Sequence, residues 1–378
     1  MDSTNIKVSV IMPIYNAYDY LRPAIESVLD QTLKQIEIIC IDDGSTDHSL
    51  DIVKAYQAAD ERVRIVTENN AGVSIARNKG IIRARGEYMI FLDADDFYEP
   101  TLLEKLYDNA KKNDLDISIA RFDCYNNKTT KFSSQVDEDH ADILTSSVVV
   151  SKSDHPDHIL QCTTGYVWNK LFKTSFIKST ELIFAPELYV FEDVHFVSTA
   201  LSLAQRIGRI DDVLVHHRIY SDQQRTKLFK KYYAQIPIVY LKIKDFLVQH
   251  GMYVPLSKSF LNFSASRCYK IYNLLWSDAK SDFWNLLHSG YADSLGWYQH
   301  EPTDYESAEI YEFCANVGIY EYHQFELRVE RGKKINTENI TSNKLNKLMK
   351  TKKNNAKFRN GISRFFSKIF KKRKKSED

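Results

Sequence analysis

Four short strings carry residue types that could do chemistry. Pro13-Ile14-Tyr15-Asn16 places an aromatic ring and an amide directly after an apolar run. Asp42-Asp43-Gly44-Ser45-Thr46-Asp47 follows a second apolar run with carboxylates and hydroxyls. Asp93-Ala94-Asp95-Asp96 follows a third, and its hard oxygens suit Mg2+ or Mn2+ shared with phosphate. Glu192-Asp193 is an adjacent carboxylate pair set among apolar and aromatic neighbours, a setting that can raise a pKa and create a general base. Each string has a plain structural alternative. The second also reads as a turn and helix cap, the third as a solvated acidic loop, and the fourth as acids drawn to a helix N-terminus. Tyr15 alone reads as a core or rim aromatic. Their joint appearance after successive apolar runs is what argues for a site.

The elements that must position these strings follow from hydrophobic period. Residues 7–12, 36–41, 63–66, 87–92 and 116–121 are short apolar, strand-like runs. Between them Leu21, Ile25, Val28 and Leu29, then Leu50, Val53 and Tyr56, then residues 73–85, then Leu102, Leu103, Leu106 and Ala110 recur at helical spacing. Alternating β and α units predict a mostly parallel sheet with helices on both faces, an α/β class. In such a sheet, ligands bind beyond the carboxyl ends of the strands, so the first three strings should meet at one edge. Residues 122–154 lose the pattern and read as loops and edge strands, and a mixed α/β stretch runs to about 220. After residue 227 long helical patterns rich in Tyr, Phe, Leu and Ile continue to about 331.

The chain has 378 residues, 51 Lys/Arg and 50 Asp/Glu. Residues 344–375 alone hold 14 Lys/Arg and no acid, so the remainder is acidic, with 37 Lys/Arg against 50 Asp/Glu. The apolar share of 43% and charged share of 27% exclude a disordered or fibrous chain. Five cysteines, an odd number with no close pair, argue against a disulfide scaffold or zinc knuckle and suit a reducing cytosol. No signal peptide and no apolar run of spanning length is expected. The twelve glycines include no pair two or five apart, which removes the dinucleotide and Walker patterns.

Val8-Ser9-Val10-Ile11-Met12-Pro13-Ile14-Tyr15-Asn16, Ile41 through Asp47, Asn70-Ala71-Gly72-Val73-Ser74-Ile75-Ala76-Arg77-Asn78 and Phe91 through Asp96 together closely resemble glycosyltransferase family 2. The resemblance is strong over about 5–110 and extends to about 225, with a general likeness to bacterial polysaccharide-type members. It implies a GT-A fold and transfer from a nucleotide diphosphate sugar, UDP-linked in the favoured case, with inversion at the anomeric carbon. By the same resemblance Pro13, Tyr15, Asn16, Asp43, Arg77, Asp93 and Ala94 contact the donor: Tyr15 stacks on the base, Asp43 accepts its N–H, and Arg77 meets nucleotide or phosphate. Asp95 and Asp93 would hold Mn2+ or Mg2+, with His217 favoured over His216 to complete the set. Arg218 or Arg225 would clamp phosphate from a mobile loop. Asp193 is implied as the base and Glu192 as its support, with Trp168 and Lys170 beside the acceptor. A Gln-x-x-Arg-Trp string is absent, since no tryptophan follows an arginine, and that points to non-processive addition.

Phe358, Ile362, Phe365, Phe366, Ile369 and Phe370 fall on one helical face among Arg359, Arg364, Lys368, Lys371 and Lys372. This predicts a basic amphipathic helix on an anionic membrane surface, with docking onto the helical domain as the alternative and no nucleic-acid partner. The expected organisation is a GT-A domain over 1–228 (donor half 1–120, acceptor half 121–228), a helical domain over 229–331 and a tail over 332–378. The expected protein is a cytoplasmic transferase, peripheral on the inner face of the membrane, acting on a glycan or lipid-linked acceptor. Homo-oligomerisation through the helical domain is also expected. The competing readings are an idle sugar- or lipid-binding scaffold and a sugar-phosphate nucleotidyltransferase. The latter would need a glycine-rich loop where Pro13 to Asn16 stand.

Overall fold

The computed structural model describes residues 6–134, 141–145, 149–219 and 232–330. The basic tail with its Phe358–Phe370 face, and Arg225, lie outside the described residues. The chain divides into two compact units, Met1–Phe229 with Asp245–Leu256, and Lys230–Lys244 with Ser257–Asp378.

The first unit is built on a nine-stranded sheet. Its parallel half comprises β1 (Val8–Ile14), β2 (Ile36–Asp42), β3 (Val63–Thr67) and β4 (Tyr88–Phe91), in the order β3-β2-β1-β4. β1 and β2 are buried at every position. That follows from mostly apolar, β-branched runs flanked by helices, with the polar Ser9 and Glu37 buried against each other at 2.7 Å. Helix α1 (Tyr18–Leu29) buries Leu21, Ala24, Ile25 and Val28, one stripe of a 3.6-residue period. Helices α2 (Ser49–Ala59), α3 (Val73–Arg83) and α4 (Leu102–Asn113) complete the crossovers. α3 lies close against β1, because Gly80 faces Ile11 so tightly that a Cβ would sit 2.2 Å from its Cγ2.

Register decides what the strand ends present. Ile14 pairs with Asp42, and Phe91 with Ile11, so the loops after β1, β2 and β4 emerge side by side. The other half of the sheet departs from simple alternation. β8 (Lys170–Lys173) runs antiparallel between β4 and β6 (Ile117–Asn126). β6 pairs in parallel with the thirteen-residue β9 (Ile207–Ile219), and β7 (Lys131–Ser134) folds back on β6 as an antiparallel neighbour. The two-residue β5 (Phe97–Tyr98) pairs with β9 through Phe97–His216 and Tyr98–Val215. This small pairing ties the loop after β4 to β9. Helices α5 (Thr174–Ser179) and α6 (Glu192–Leu203) fill the chain between β8 and β9.

The second unit is helical. It includes Ser257–Leu274, Ser277–Leu286, Ala308–Ile319 and Tyr322–Glu330 around buried Phe283, Trp284, Trp297 and Tyr298. The indole N–H groups of Trp284 and Trp297 donate to Tyr320 O at 3.0 Å and Ser264 Oγ at 2.9 Å. No described helix is long and apolar enough to cross a membrane.

Candidate active site

The loops after β1 and β2 are stitched together by Asn16. Its backbone takes φ of 50°, a left-handed turn that Asn tolerates. Its Oδ1 accepts from Thr46 N at 2.7 Å and Asp47 N at 3.3 Å, and its own N–H donates to Ser45 Oγ at 3.1 Å. The turn leaves the Tyr15 ring half exposed, able to offer a face to a planar ligand. Pro13 is buried within β1 and Ala94 packs against the core, so each shapes the floor rather than donating a polar contact. Asp43 is buried and accepts from Ala71 N and Gly72 N, both at 2.8 Å. The carboxylate expected to read a base edge is thus first the anchor of the 68–72 loop at the start of α3. Gly44, at φ 73°, allows that approach, since a Cβ there would lie 2.9 Å from Asn70 N.

Arg77, on the second turn of α3, is 4% exposed. Its Nη2 donates to Asp93 Oδ1 at 2.7 Å and its Nη1 to Glu192 Oε1 at 3.0 Å. Its guanidinium also lies 5.1 Å from the centre of the Phe184 ring. The resemblance implied contact with nucleotide or phosphate; the structure instead shows this side chain bridging two carboxylates. One comes from the acidic loop after β4. The other, in the first turn of α6, lies 115 residues from Arg77.

Glu192 and Asp193 open α6, and Phe191 before them sits at φ 60°. An aromatic residue rarely adopts that conformation, and such strain gathers where geometry is imposed by function. Asp193 has its carboxyl pushed up to about 7, first by burial and then by the Glu192 charge, with Arg77 and the Val194 N–H partly offsetting. The helix N-terminus explains why acids stand there. It does not explain a buried ion pair to Arg77.

β9 brings its two histidines to different partners. His216 lies between Asp123 at 2.6 Å and Glu99 at 2.9 Å, a structural setting. His217 meets the buried Asp96 at 3.0 Å. Burial works against its charge, but Asp96 and then Asp95 and Asp93 outweigh this and push it up to about 9. Arg218 donates its N–H to Asp96 at 2.7 Å and its Nε to Asp95 O at 2.8 Å, and Nη1 reaches Asn127 at 2.9 Å. It therefore stands within β9, bracing the acidic loop, where a mobile phosphate clamp was expected. Asp93, Asp95 and Asp96 are faced by Arg77, His217 and Arg218.

Among the described residues no three His, Cys, Asp or Glu side chains are grouped to hold a metal ion. Asp93 is paired with Arg77, and an imidazolium at His217 offers no lone pair where its ring is charged. The expected Asp95, Asp93 and His217 cage is not formed. A cation here would take most of its oxygen shell from phosphate and water, with Asp95 the protein's contribution.

The expected acceptor contacts are corrected in the same way. Trp168 is 2% exposed, with Tyr166 stacked at 4.8 Å, His217 at 5.2 Å and the edge of Phe122 at 4.6 Å. Lys170 is wholly buried, its Nζ donating to Tyr166 O at 2.8 Å and Asn169 Oδ1 at 2.9 Å. Neither presents a surface to a sugar: Trp168 stacks on His217, and Lys170 ties down the Tyr166–Asn169 turn. Sequence reasoning assigns no role to Asp96 or Tyr166. Asp96 is visible beside Asp95, but its partners arrive only through the β5–β9 pairing.

Residues 9–167 match the family model described as Glycosyl transferase family 2. The chain is 34% identical over 214 residues to glycosyltransferase GlyG of Streptococcus pneumoniae, covering 56% of this chain and 64% of that one. It is 28% identical over 265 residues to the poly(ribitol-phosphate) beta-glucosyltransferase of Bacillus spizizenii, covering 68% of this chain and 40% of that one. The matches thus span less than two thirds of these relatives' own lengths. Among solved structures, residues 1–349 of S. aureus TarS in complex with UDP-GlcNAc align with a TM-score of 0.65 at 20% identity. That alignment covers 86% of this chain and 92% of that one.

Proposed function

We propose, from the premise that residues 9–167 are a glycosyl transferase family 2 domain of the GT-A fold, that this chain moves a sugar from a nucleotide diphosphate donor to an acceptor hydroxyl by a single inverting displacement. The observation that carries the reading is Arg77. Its guanidinium joins Asp93, beyond the donor-side strands, to Glu192, the neighbour of the perturbed carboxyl of Asp193. A donor loop and a base are thereby held on one buried link.

In the reaction the acceptor oxygen attacks the anomeric carbon while the bond from that carbon to the diphosphate oxygen breaks. Asp193, in its ionised form, takes the hydroxyl proton, and the nucleoside diphosphate leaves with the bonding electrons. A carboxyl raised from the ordinary range toward neutrality is matched to this work, since it can still ionise near neutral pH yet binds a proton more firmly than an ordinary Asp. The Tyr15 ring stacks on the base, and Asp43 keeps the 68–72 loop against it. Arg77, His217 and Arg218 set a positive field behind the acidic loop. Mn2+ or Mg2+, when bound by Asp95 and the donor's own phosphate oxygens, would neutralise charge on the leaving group.

UDP is favoured as the nucleotide because S. aureus TarS has been solved with UDP and with UDP-GlcNAc. A surface glycan or a lipid-linked precursor is the acceptor class that fits relatives such as the poly(ribitol-phosphate) beta-glucosyltransferase. The basic tail would bring the cytoplasmic face of the membrane to the enzyme. The deciding measurement is release of nucleotide from a panel of UDP-sugars by the purified chain, with and without Mn2+. Turnover above background that disappears in Asp193→Asn supports the reading. Binding of UDP without turnover of any donor, with or without acceptor glycans, would instead leave a sugar-binding scaffold.

A further inference from the structure

The helical unit carries an apolar corner that its own core does not use. Of the four tryptophans, Trp168, Trp284 and Trp297 are buried, whereas Trp276 is 76% exposed. Leu274, two residues earlier, is 62% exposed, and Leu275 between them turns inward. The corner joins Ser257–Leu274 to Ser277–Leu286. Arg267, Lys270 and Leu274 fall at i, i+3 and i+7 and are exposed on the longer helix, whose other side buries Leu261, Ala265 and Cys268 in the core. Past the corner, Lys280 lies 4.5 Å over the Tyr272 ring. Asp278 and Asp282, both exposed, are the acids in this stretch, and Asp282 accepts from Tyr233 Oη at 3.3 Å.

We propose that this corner is a membrane contact, with Leu274 and Trp276 entering the headgroup boundary of an anionic bilayer and Arg267, Lys270 and Lys280 facing its lipid phosphates. Trp prefers that boundary because its ring is apolar while its N–H keeps a polar partner. An exposed Leu-Trp tip flanked by cations is the chemistry of interfacial attachment. The occupant is indicated by what the chain does next. The last described helix, Tyr322–Glu330, packs on Ser277–Leu286, with Phe325 stacked on Trp284 at 4.3 Å. The chain therefore leaves this unit beside the helix that begins at the corner. The residues that follow include the 14 Lys/Arg of 344–375 and the phenylalanines from Phe358 onward. Charge and aromatic content of both pieces match one partner, a negatively charged lipid surface. The inference shares with the proposed function the expectation of a membrane-side enzyme, but not its transfer chemistry.

The full chain tests this through its own fluorescence, because Trp276 is the exposed indole beside three buried ones. On adding vesicles containing phosphatidylglycerol, emission should shift to the blue and be quenched by lipids brominated on the acyl chains. Trp276→Phe should lose the shift. Leu274→Glu should weaken vesicle affinity by about tenfold, since it puts a charge in place of an inserted apolar group. Both variants should melt with the parent, as both side chains are exposed. If the parent sediments with vesicles but its emission does not move, the corner stays in water and the tail alone binds, which overturns the inference. If the parent does not sediment, the membrane contact itself is refuted. A concentration-dependent shift without lipid would assign the corner to a second copy of the chain, also against it. Hydrolysis of UDP-sugars measured without vesicles keeps failure here distinct from failure of the transferase reading.

Discussion

Replacing Asp193 by Asn should make the protein more stable at pH 8 while it destroys turnover. The folded state holds this carboxyl at about 7 against an ordinary 3.8, first through burial and then through Glu192. Between those values the folded state binds more protons at this site than the unfolded state does. Stability therefore falls as pH rises from about 4 to about 7 and is flat beyond. Each pH unit in that window is worth about 1.4 kcal/mol. For a lone group the full cost would reach about 4 kcal/mol. Asp193 shares its perturbation with Glu192 and keeps part of its surface open to solvent, so about 1–2 kcal/mol is the expected gain on removing the charge. Asn keeps the oxygen that accepts the Val194 N–H at 2.7 Å, so the first turn of α6 is not otherwise disturbed.

For a domain of this size that gain corresponds to a rise in melting temperature of about 2–8 °C at pH 8, shrinking to under half by about pH 5. Calorimetry of both proteins at the two pH values measures it. In the same preparations nucleotide release by the parent should climb through about pH 7 as the base ionises, and the Asp193→Asn protein should be slower by about 10²–10⁴-fold. An Asp193→Asn protein that is no more stable at pH 8 refutes the claim of an energetically opposed carboxylate. One that turns over within about threefold of the parent refutes its role as base.

Three further outcomes are expected. Arg77→Gln should destabilise the first unit by about 3–5 kcal/mol, because Asp93 and Glu192 lose the cation between them; equal urea midpoints for mutant and parent would show that the bridge is not maintained in solution. Asp95→Ala should remove the Mn2+ dependence of UDP binding in calorimetry while leaving weak metal-free binding, and an unchanged response to Mn2+ would move the cation elsewhere. Tyr15→Ala should weaken UDP by about 1–3 kcal/mol of lost stacking without affecting the melting temperature, given its exposed ring, and undiminished affinity would take Tyr15 out of the base site.

The parallel half of the first unit was legible because its strands are short, mostly apolar and β-branched runs separated by segments of helical period. The registers Ile14–Asp42 and Ile11–Phe91 then leave little choice about which loops meet. The antiparallel half was not, and the reason is range. β8 is four residues long and slots between β4 and β6, strands that precede it by about eighty and fifty residues. β5 has two residues and no period at all, yet it carries His216 and His217 to the acidic loop. On a strand these neighbours face opposite ways, so choosing between them requires the partners of β9, which composition does not reveal. Lys170 misled for a related reason. A lysine reads as exposed unless its donors are known to be met, and here Tyr166 O and Asn169 Oδ1 meet them inside the fold. Arg77 was recognised as a site residue, but its carboxylate partners lie 16 and 115 positions away. Only the folded chain shows it as a bridge.

Two carboxylates of the same unit set a structural use against the proposed chemical one. Glu37, at the edge of β2, is 1% exposed, and burial alone would push its carboxyl up. Ser9 Oγ donates to it at 2.7 Å, Arg85 N at 2.8 Å and Arg64 at 2.6 Å, and together with the Arg85 guanidinium they hold it below its ordinary value. Both oxygens are engaged in favour of the charge, so Glu37 neither releases nor takes a proton near neutral pH, and its work is to fasten β1, β3 and the turn before β4. Asp193 has the opposite surroundings. Its acidic neighbour and its burial act in one direction, and a cation already divided between Asp93 and Glu192 acts in the other. A fold selecting only for stability would have met this group with donors as it met Glu37. That it leaves the charge under-compensated, next to a residue held at φ 60°, is what the proposed role as proton acceptor calls for.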